Sequence, residues 1–386
     1  MLGVSVTANA APRWLERPVD AQVRARVVAM LAELRACDPA AWATGLSIEG
    51  ARAAWEAALA GLDPDDTSRR VDGRPPRRVG IVCSGNVYTA PLEWTVALVA
   101  RGVDVVLKPA SGHEAVVEAI AHAIEAGVAA AARADDGVRR GGRVAVRCWH
   151  GGDVDAERAA LAGCDAVMGF GGAASMAAIG ERMGVLTPAP IWLPFGPKAG
   201  VAVVERLDAH AARALAWDHA LHDGRGCMSP AAVLAVHVDL DAFARAMAEL
   251  AARCPPGRGG GASALTPAEG AAIRSRTALA RVCGGVWGDG TVLALPLAHL
   301  QLTALPRVAV VHAVPSVASA LDTLAPLRAS IGTLATDRPD LVATAWGQGL
   351  PAPRVCATGE MQRPPFARLH DGVDVLAELW GAAPPS

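Results

Sequence analysis

An α/β fold built on parallel sheet is the architecture this chain predicts, and three observations predict it. From Arg78 onward, short β-branched runs alternate with long alanine-rich helical segments, the pattern of βαβ units. The chain has 386 residues, enough for one large domain or two to three smaller ones. Hydrophobic residues make up 52% of it, so a sizeable core can be buried.

Residues 1–70 are rich in alanine and leucine and read as an N-terminal helical segment, with a first long helix near Asp20–Ala36. Asp63-Pro64-Asp65-Asp66-Thr67 and Gly73-Arg74-Pro75-Pro76 break that pattern. Strands are then expected at Val79–Cys83, Val103–Leu107, Arg143–Cys148 and Asp165–Gly169. The helices expected between them are Pro91–Arg101, His113–Ala132 and Val154–Ala162. Doubly wound sheets bind ligands at the carboxyl ends of their strands, so the loops after these runs are the first candidates for a site. A second block opens near Val203. It contains a helix at Ala209–Leu221, a glycine-rich loop around Cys227, a strand at Ala231–Val238 and a helix at Leu240–Arg253. A surface loop from Pro255 through Gly261, a helix at Pro267–Val282, a turn at Gly284–Gly290 and a strand at Arg307–Val311 follow. The remainder is short and motif-like, and there is no internal repeat.

Composition excludes several classes. The net charge is −2 with acids and bases interspersed, which argues against a nucleic-acid or anionic-membrane partner. No uninterrupted apolar run approaches the ~20 residues that span a bilayer, and no secretion signal is expected at the N-terminus. The eight cysteines show no CxxC pair and no Cys/His spacing suited to zinc, so no metal is expected. They fit free thiols in a reducing cytoplasm. Cys37, Cys83, Cys148, Cys164, Cys283 and Cys356 read as packing residues.

Cys227 is different. It lies in Asp223-Gly224-Arg225-Gly226-Cys227-Met228-Ser229-Pro230, between a helix and a strand, where a thiol is poorly placed for core packing and well placed for a substrate. Flanking amides and Arg225 are candidate sources of positive potential. His219 and His222 read as surface or helix-end histidines. Three other segments are candidates. Gly85-Asn86 closes a strand, and an asparagine amide there suits an oxyanion; the plain alternative is a turn. Lys108-Pro109-Ala110-Ser111 closes another strand, with a lysine for a ribose hydroxyl or phosphate; the alternative is a solvated lysine. Gly169-Phe170-Gly171-Gly172 sits between a strand and a helix, where backbone N–H groups can approach a phosphate.

In this order the four segments resemble the aldehyde dehydrogenase superfamily, and most closely its acyl-CoA reductase branch, the long-chain reductases of bacterial bioluminescence. The similarity runs from about Val79 to the C-terminus. Val105–Pro109 resembles the family's Val-Val-Leu-Lys-Pro strand exit, and Gly226-Cys227-Met228-Ser229-Pro230 resembles its nucleophile motif. Gly359-Glu360-Met361 and His370-Asp371-Gly372 resemble its closing signature. The resemblance implies a parallel-sheet dinucleotide-binding domain over 71–202, an α/β catalytic domain over 203–350, and a tail, 351–386, that returns to the first. It implies Cys227 and Asn86 as catalytic, and Lys108, Pro109, Ser111, Gly169, Gly171 and Gly172 as cofactor-binding.

Departures from the family pattern sharpen the expectation. Oxidising members carry a water-activating glutamate upstream of the cysteine; the matching stretch, Pro194 through Gly200, has no carboxylate. This favours reduction of an acyl thioester, from coenzyme A or a carrier, to an aldehyde through an S-acyl cysteine. NAD-preferring members often place a glutamate where Ser111 stands, so NADPH is expected, with NADH the alternative. A homo-oligomer and an acyltransferase or ligase partner are also implied. An acyl-phosphate reductase and a non-catalytic subunit of a reductase complex are the other readings kept.

Overall fold

The computed structural model describes residues 11–42, 44–134, 141–257, 265–346 and 353–381. They form two compact units. The first comprises Ala11–Thr44, Trp55–Pro197 and the segment from Pro365; the second comprises Gly45–Ala54 and Lys198–Pro364. The first division therefore falls at 197/198 rather than 202/203, because a strand that begins at Ala199 belongs to the second sheet. The tail divides at 364/365.

The first unit holds five strands: β1 (Arg78–Val82), β2 (Asp104–Lys108), β3 (Val144–Val146), β4 (Ala166–Phe170) and β5 (Ile191–Phe195). All are parallel, in the order β3-β2-β1-β4-β5. The chain builds outward from β1 to β3 and then returns to place β4 on the other side of β1. That reversal makes the carboxyl ends of β1 and β4 the topological switch point where such sheets bind ligands. On one face, Val82, Val106 and Val167 pack against Leu161, Met176, Ile179 and Met183. The alternation of strand and helix in the sequence foresees this sheet, but not β5, whose Pro194 and Trp192 disguise it.

The second unit holds β6 (Ala199–Leu207), β7 (Pro230–Val238), β8 (Gly285–Trp287), β9 (Val292–Ala294), β10 (Ala309–Ala313), β11 (Ile331–Thr336) and β12 (Arg354–Cys356). Their order is β12-β11-β6-β7-β10-β9-β8, parallel except for the β8–β9 pair. Side chains alternate between faces along a strand. Val201, Val203, Ala232 and Leu234 accordingly enter one core, while Ala202, Val204, Val233 and Ala235 enter the other. A central strand covered on both sides reads as a continuous apolar run. The stretch expected as a glycine-rich turn, Gly284–Gly290, instead forms β8 and a short turn at Gly288–Gly290. Of the loop expected from Pro255 to Gly261, residues 258–261 lie outside the described residues.

Helix Glu114–Ala134 is, by length and composition, apolar enough to cross a bilayer, which an unbroken-run criterion misses. In this unit it buries Val116, Val117, Ile120 and Ile124. It also meets helix Ala21–Ala36, with Gly127 against the backbone of the latter: a Cβ on Gly127 would lie 2.4 Å from Met30 Cα and 2.6 Å from Met30 N. A helix cannot yield there without moving as a body. Gly127→Ala is therefore expected to lower the unfolding free energy by about 1–3 kcal/mol, read by urea denaturation; unaltered stability would contradict this packing.

Candidate active site

In the first unit, the carboxyl edge of the sheet gathers the candidate cofactor residues. Asn86 follows β1 in an exposed turn, and a Cβ on Gly85 would sit 3.5 Å from the Ala110 side chain. Lys108 ends β2, half-buried, with its ammonium 5.8 Å from the centre of the Trp149 ring. Its carbonyl accepts from Cys83 N at 2.9 Å, tying the two loops together. Pro109 is buried, and Ser111 is exposed in the turn beyond it.

The three glycines have different roles. Gly171 donates its N–H to Phe195 O at 3.2 Å, and Gly172 is the N-cap of helix Ala173–Met183 with no side-chain cap. Nothing lies within 4 Å of a Cβ on Gly172, and residues 172–175 are exposed. Open N–H groups at the start of a helix suit a phosphate. Gly169 is different: a Cβ there would lie 2.3 Å from the Trp192 ring and 2.9 Å from Met176 Sδ, so its place is filled by packing. The Gly171–Gly172 turn, with Lys108 and Ser111 on the same edge, fits a dinucleotide.

In the second unit, Cys227 is an exposed thiol ahead of β7. Helix Ala209–Ala220 gives way to three consecutive left-handed residues, His222 (φ 55°), Asp223 (φ 55°) and Gly224 (φ 73°). Only the glycine takes this conformation without strain. The Asp223 carboxylate, 2% exposed, is held by Arg307, whose Nη2 lies 2.6 Å from Oδ1, and also accepts from Gly257 N. Arg307 itself has φ 58° and donates to the carbonyls of Cys254 and Pro255. The chain then closes a turn in which Ser229 N donates to Gly226 O at 2.9 Å, with Cys227 and Met228 at its two middle positions.

The charge of Arg225, expected as positive potential for the thiol, faces carboxylates, with Asp223 Oδ2 3.8 Å from its Nη1. Arg225 makes a bidentate pair with Glu269, at 2.8 and 3.2 Å. His219 lies in the last turn of its helix and His222 just beyond it, a helix end as expected, but they are 1% and 7% exposed and so are not surface residues. Burial lowers the pKa of each to about 4, so both are neutral near pH 7. Among the other thiols, burial pushes Cys83 up to about 12 and Cys164 and Cys356 up to about 11, consistent with packing roles. Cys148 and Cys283, expected to be packing residues, are exposed. No cluster of metal-ligating side chains occurs among the described residues.

The model of the family described as acyl-CoA reductase (LuxC) matches residues 63–382. The chain belongs to that family. It is therefore an aldehyde-forming oxidoreductase that reduces an acyl group with a nicotinamide cofactor. No curated protein compared with it matches. Solved structures similar to this acyl-CoA reductase share the aldehyde dehydrogenase fold. A NAD-dependent benzaldehyde dehydrogenase from Corynebacterium glutamicum is 17% identical, with TM-score 0.61 over 95% of this chain and 83% of that one. A propionaldehyde dehydrogenase from the Clostridium phytofermentans fucose utilisation bacterial microcompartment is 11% identical, with TM-score 0.59 over 91% and 90%. An acetylating aldehyde dehydrogenase from Geobacillus thermoglucosidasius is 14% identical, with TM-score 0.58 over 95% and 89%.

Sequence reasoning missed the residues that hold the reductase's cysteine turn from behind. Asp218, fully buried, accepts from Gly359 N at 2.6 Å and Met361 N at 3.0 Å. The Gly-Glu-Met signature is thus fastened to the helix that precedes the cysteine. Gln362 then donates from Nε2 to Asp218 O at 2.7 Å and to Ser229 Oγ at 2.9 Å, two residues from Cys227. A buried aspartate on an alanine-rich helix was the available signal, since such a group is retained only with partners.

The buried histidines give the reductase an acid-sensitive core. Their folded pKa values lie below the usual 6.5, so the folded state takes up fewer protons than the unfolded one between about pH 4 and 6.5. Stability is complete above that window and is lost as pH falls through it. Asp218, raised to about 7 by burial against two N–H donors, acts in the opposite direction. His222→Asn isolates one histidine, because asparagine tolerates the left-handed backbone. Between pH 4.5 and 6.5 the variant's unfolding free energy is expected to rise with pH less steeply, by about 1 kcal/mol per pH unit. Denaturant titrations across that range check it, and equal slopes would contradict it.

Proposed function

We propose that the reductase acts through an S-acyl intermediate on Cys227. The observation that carries this reading is an exposed thiol in a pinned turn, just after a left-handed stretch at 222–224, in a chain of the acyl-CoA reductase family. The Cys227 thiolate attacks the thioester carbonyl carbon, and a new carbon–sulfur bond forms. The bond to the leaving thiol breaks, and that thiol departs as its thiolate. One thioester replaces another, so the step is close to balanced and needs no strong base.

Asn86 has the proposed role of donating to the oxyanion that develops on the carbonyl oxygen. Lys108 and Ser111 are assigned to the adenosine ribose and its substituent, and the N–H groups that follow Gly171 and Gly172 to the pyrophosphate. The bound nicotinamide supplies the hydride that the acyl group accepts. Collapse of the resulting hemithioacetal releases the aldehyde and regenerates the Cys227 thiolate. With no carboxylate from Pro194 through Gly200, this stretch offers no base to activate water for hydrolysis. Ser111 leaves room for a 2′-phosphate without repelling it, which favours NADPH over NADH. We further assign the enzyme to the cytoplasm as a homo-oligomer, receiving acyl thioesters from an acyltransferase or ligase.

The experiment is turnover of an acyl-CoA series with NADPH and with NADH, followed by loss of nicotinamide absorbance. Cys227→Ala is expected to abolish aldehyde formation, and Asn86→Ala to lower kcat by roughly 10²–10³. Undiminished turnover in Cys227→Ala, or reduction of acyl phosphates with none of acyl-CoA, would overturn the proposal.

A further inference from the structure

His370-Asp371-Gly372 is the one sequence motif that the chemistry above leaves without a role. Its local structure is a tight hairpin. Asp371 and Gly372 both have positive φ, 51° and 85°, and His370 and Val373 exchange backbone hydrogen bonds of 2.9 Å in both directions. Asp-Gly is a preferred pair for a two-residue turn of this kind. The hairpin fixes where the His370 ring points.

That ring is held on two sides. On the polar side, Arg368 grips the Glu93 carboxylate with two bonds of 2.8 Å. His370 Nδ1 lies 3.4 Å from Glu93 Oε1 and 3.3 Å from Arg368 Nη2. Burial would raise the Glu93 pKa, but the charge of Arg368 and the bonds from both partners outweigh it and hold it down at about 2. The carboxylate is therefore a permanent anchor at any working pH. On the apolar side, the ring stands edge-on to Phe195, at 4.5 Å between centroids, and to Phe170, at 5.6 Å. Those two phenylalanines are stacked on each other at 5.0 Å. Edge-to-face contacts of this kind favour one arrangement over its alternatives.

Phe170 and Phe195 are paired residues at the ends of β4 and β5. Phe170 immediately precedes Gly171, and the carbonyl of Phe195 accepts the Gly171 N–H. Whatever fixes this pair fixes the start of the open helix N-terminus.

We propose that His370, anchored by Glu93 and Arg368, is a positioning residue that clamps the Phe170–Phe195 stack and so sets the Gly171–Gly172 turn for the dinucleotide phosphates. This rests on the assignment of that turn to the cofactor and goes beyond it by giving the closing motif a task. The clamp acts on nucleotide affinity and leaves acyl transfer to Cys227 untouched.

The test uses the full-length enzyme with two separate readouts. NADPH affinity is measured by fluorescence titration without substrate. Acyl transfer is measured as free thiol released on mixing with acyl-CoA without nucleotide. His370→Ala is expected to weaken NADPH binding roughly tenfold or more, with thiol release within about twofold of the parent. His370→Phe, which keeps a ring edge on the stack but loses the anchor to Glu93, is expected to recover part of the affinity. Parental NADPH affinity in His370→Ala overturns the proposal. So does a parallel loss of affinity and thiol release, which marks a general structural role. So does a His370→Phe variant no better than His370→Ala. A parent enzyme that binds NADPH but releases no thiol would sink the Cys227 assignment, while the nucleotide titrations would still decide this one.

Discussion

The left-handed turn at His222, Asp223 and Gly224 has no reason to persist on local preference. Two of its three residues carry a Cβ, and each such residue costs of order 1–3 kcal/mol outside a context that enforces it. The enforcing contact is the buried pair between Asp223 and Arg307. Arg307 is committed by its own bonds to the carbonyls of Cys254 and Pro255, so Asp223 is tied to a fixed point of the second unit. Removing one member of such a pair leaves a buried charge uncompensated, at about 3–5 kcal/mol. The cysteine turn, with its exposed thiol, thus follows a strained stretch that is fixed to a rigid base.

The first unit solves the complementary problem by topology. Placing β4 beside β1, after the chain has moved away through β2 and β3, makes their carboxyl ends the switch point where such sheets bind ligands. The turn that begins at Gly171 and the loop that holds Asn86 both issue from it, and Lys108 ends the neighbouring strand. Backbone N–H groups, not charged side chains, face outward at the helix start. Lys108 is the cation on the same edge of the sheet.

Much of this was legible in the chain. The strand and helix alternation fixed the first sheet because buried parallel strands and alanine-rich crossovers differ sharply in composition. Cys227 stood out because glycine and arginine flank it where a core cysteine would have apolar neighbours. Other features were hidden for physical reasons. Asp223 and Arg307 are 84 residues apart, and nothing local marks them as partners. Gly169 has the spacing of a phosphate-binding glycine, but the space above it is taken by Trp192, which arrives from another strand. The burial of His219 and His222 was hidden because it depends on contacts beyond their own helix end, such as Pro230 O, 3.3 Å from His219 Nδ1. Asp218 and Gln362 act only through a segment far along the chain.

The central claim is that the turn presents a sulfur that carries the acyl group. Mass spectrometry of peptides after mixing the enzyme with acyl-CoA, without nucleotide, tests it most directly. The account predicts the acyl mass on the peptide containing Cys227, and its disappearance as aldehyde once reduced nicotinamide is added. An acyl group found on another residue, or on none, would contradict it.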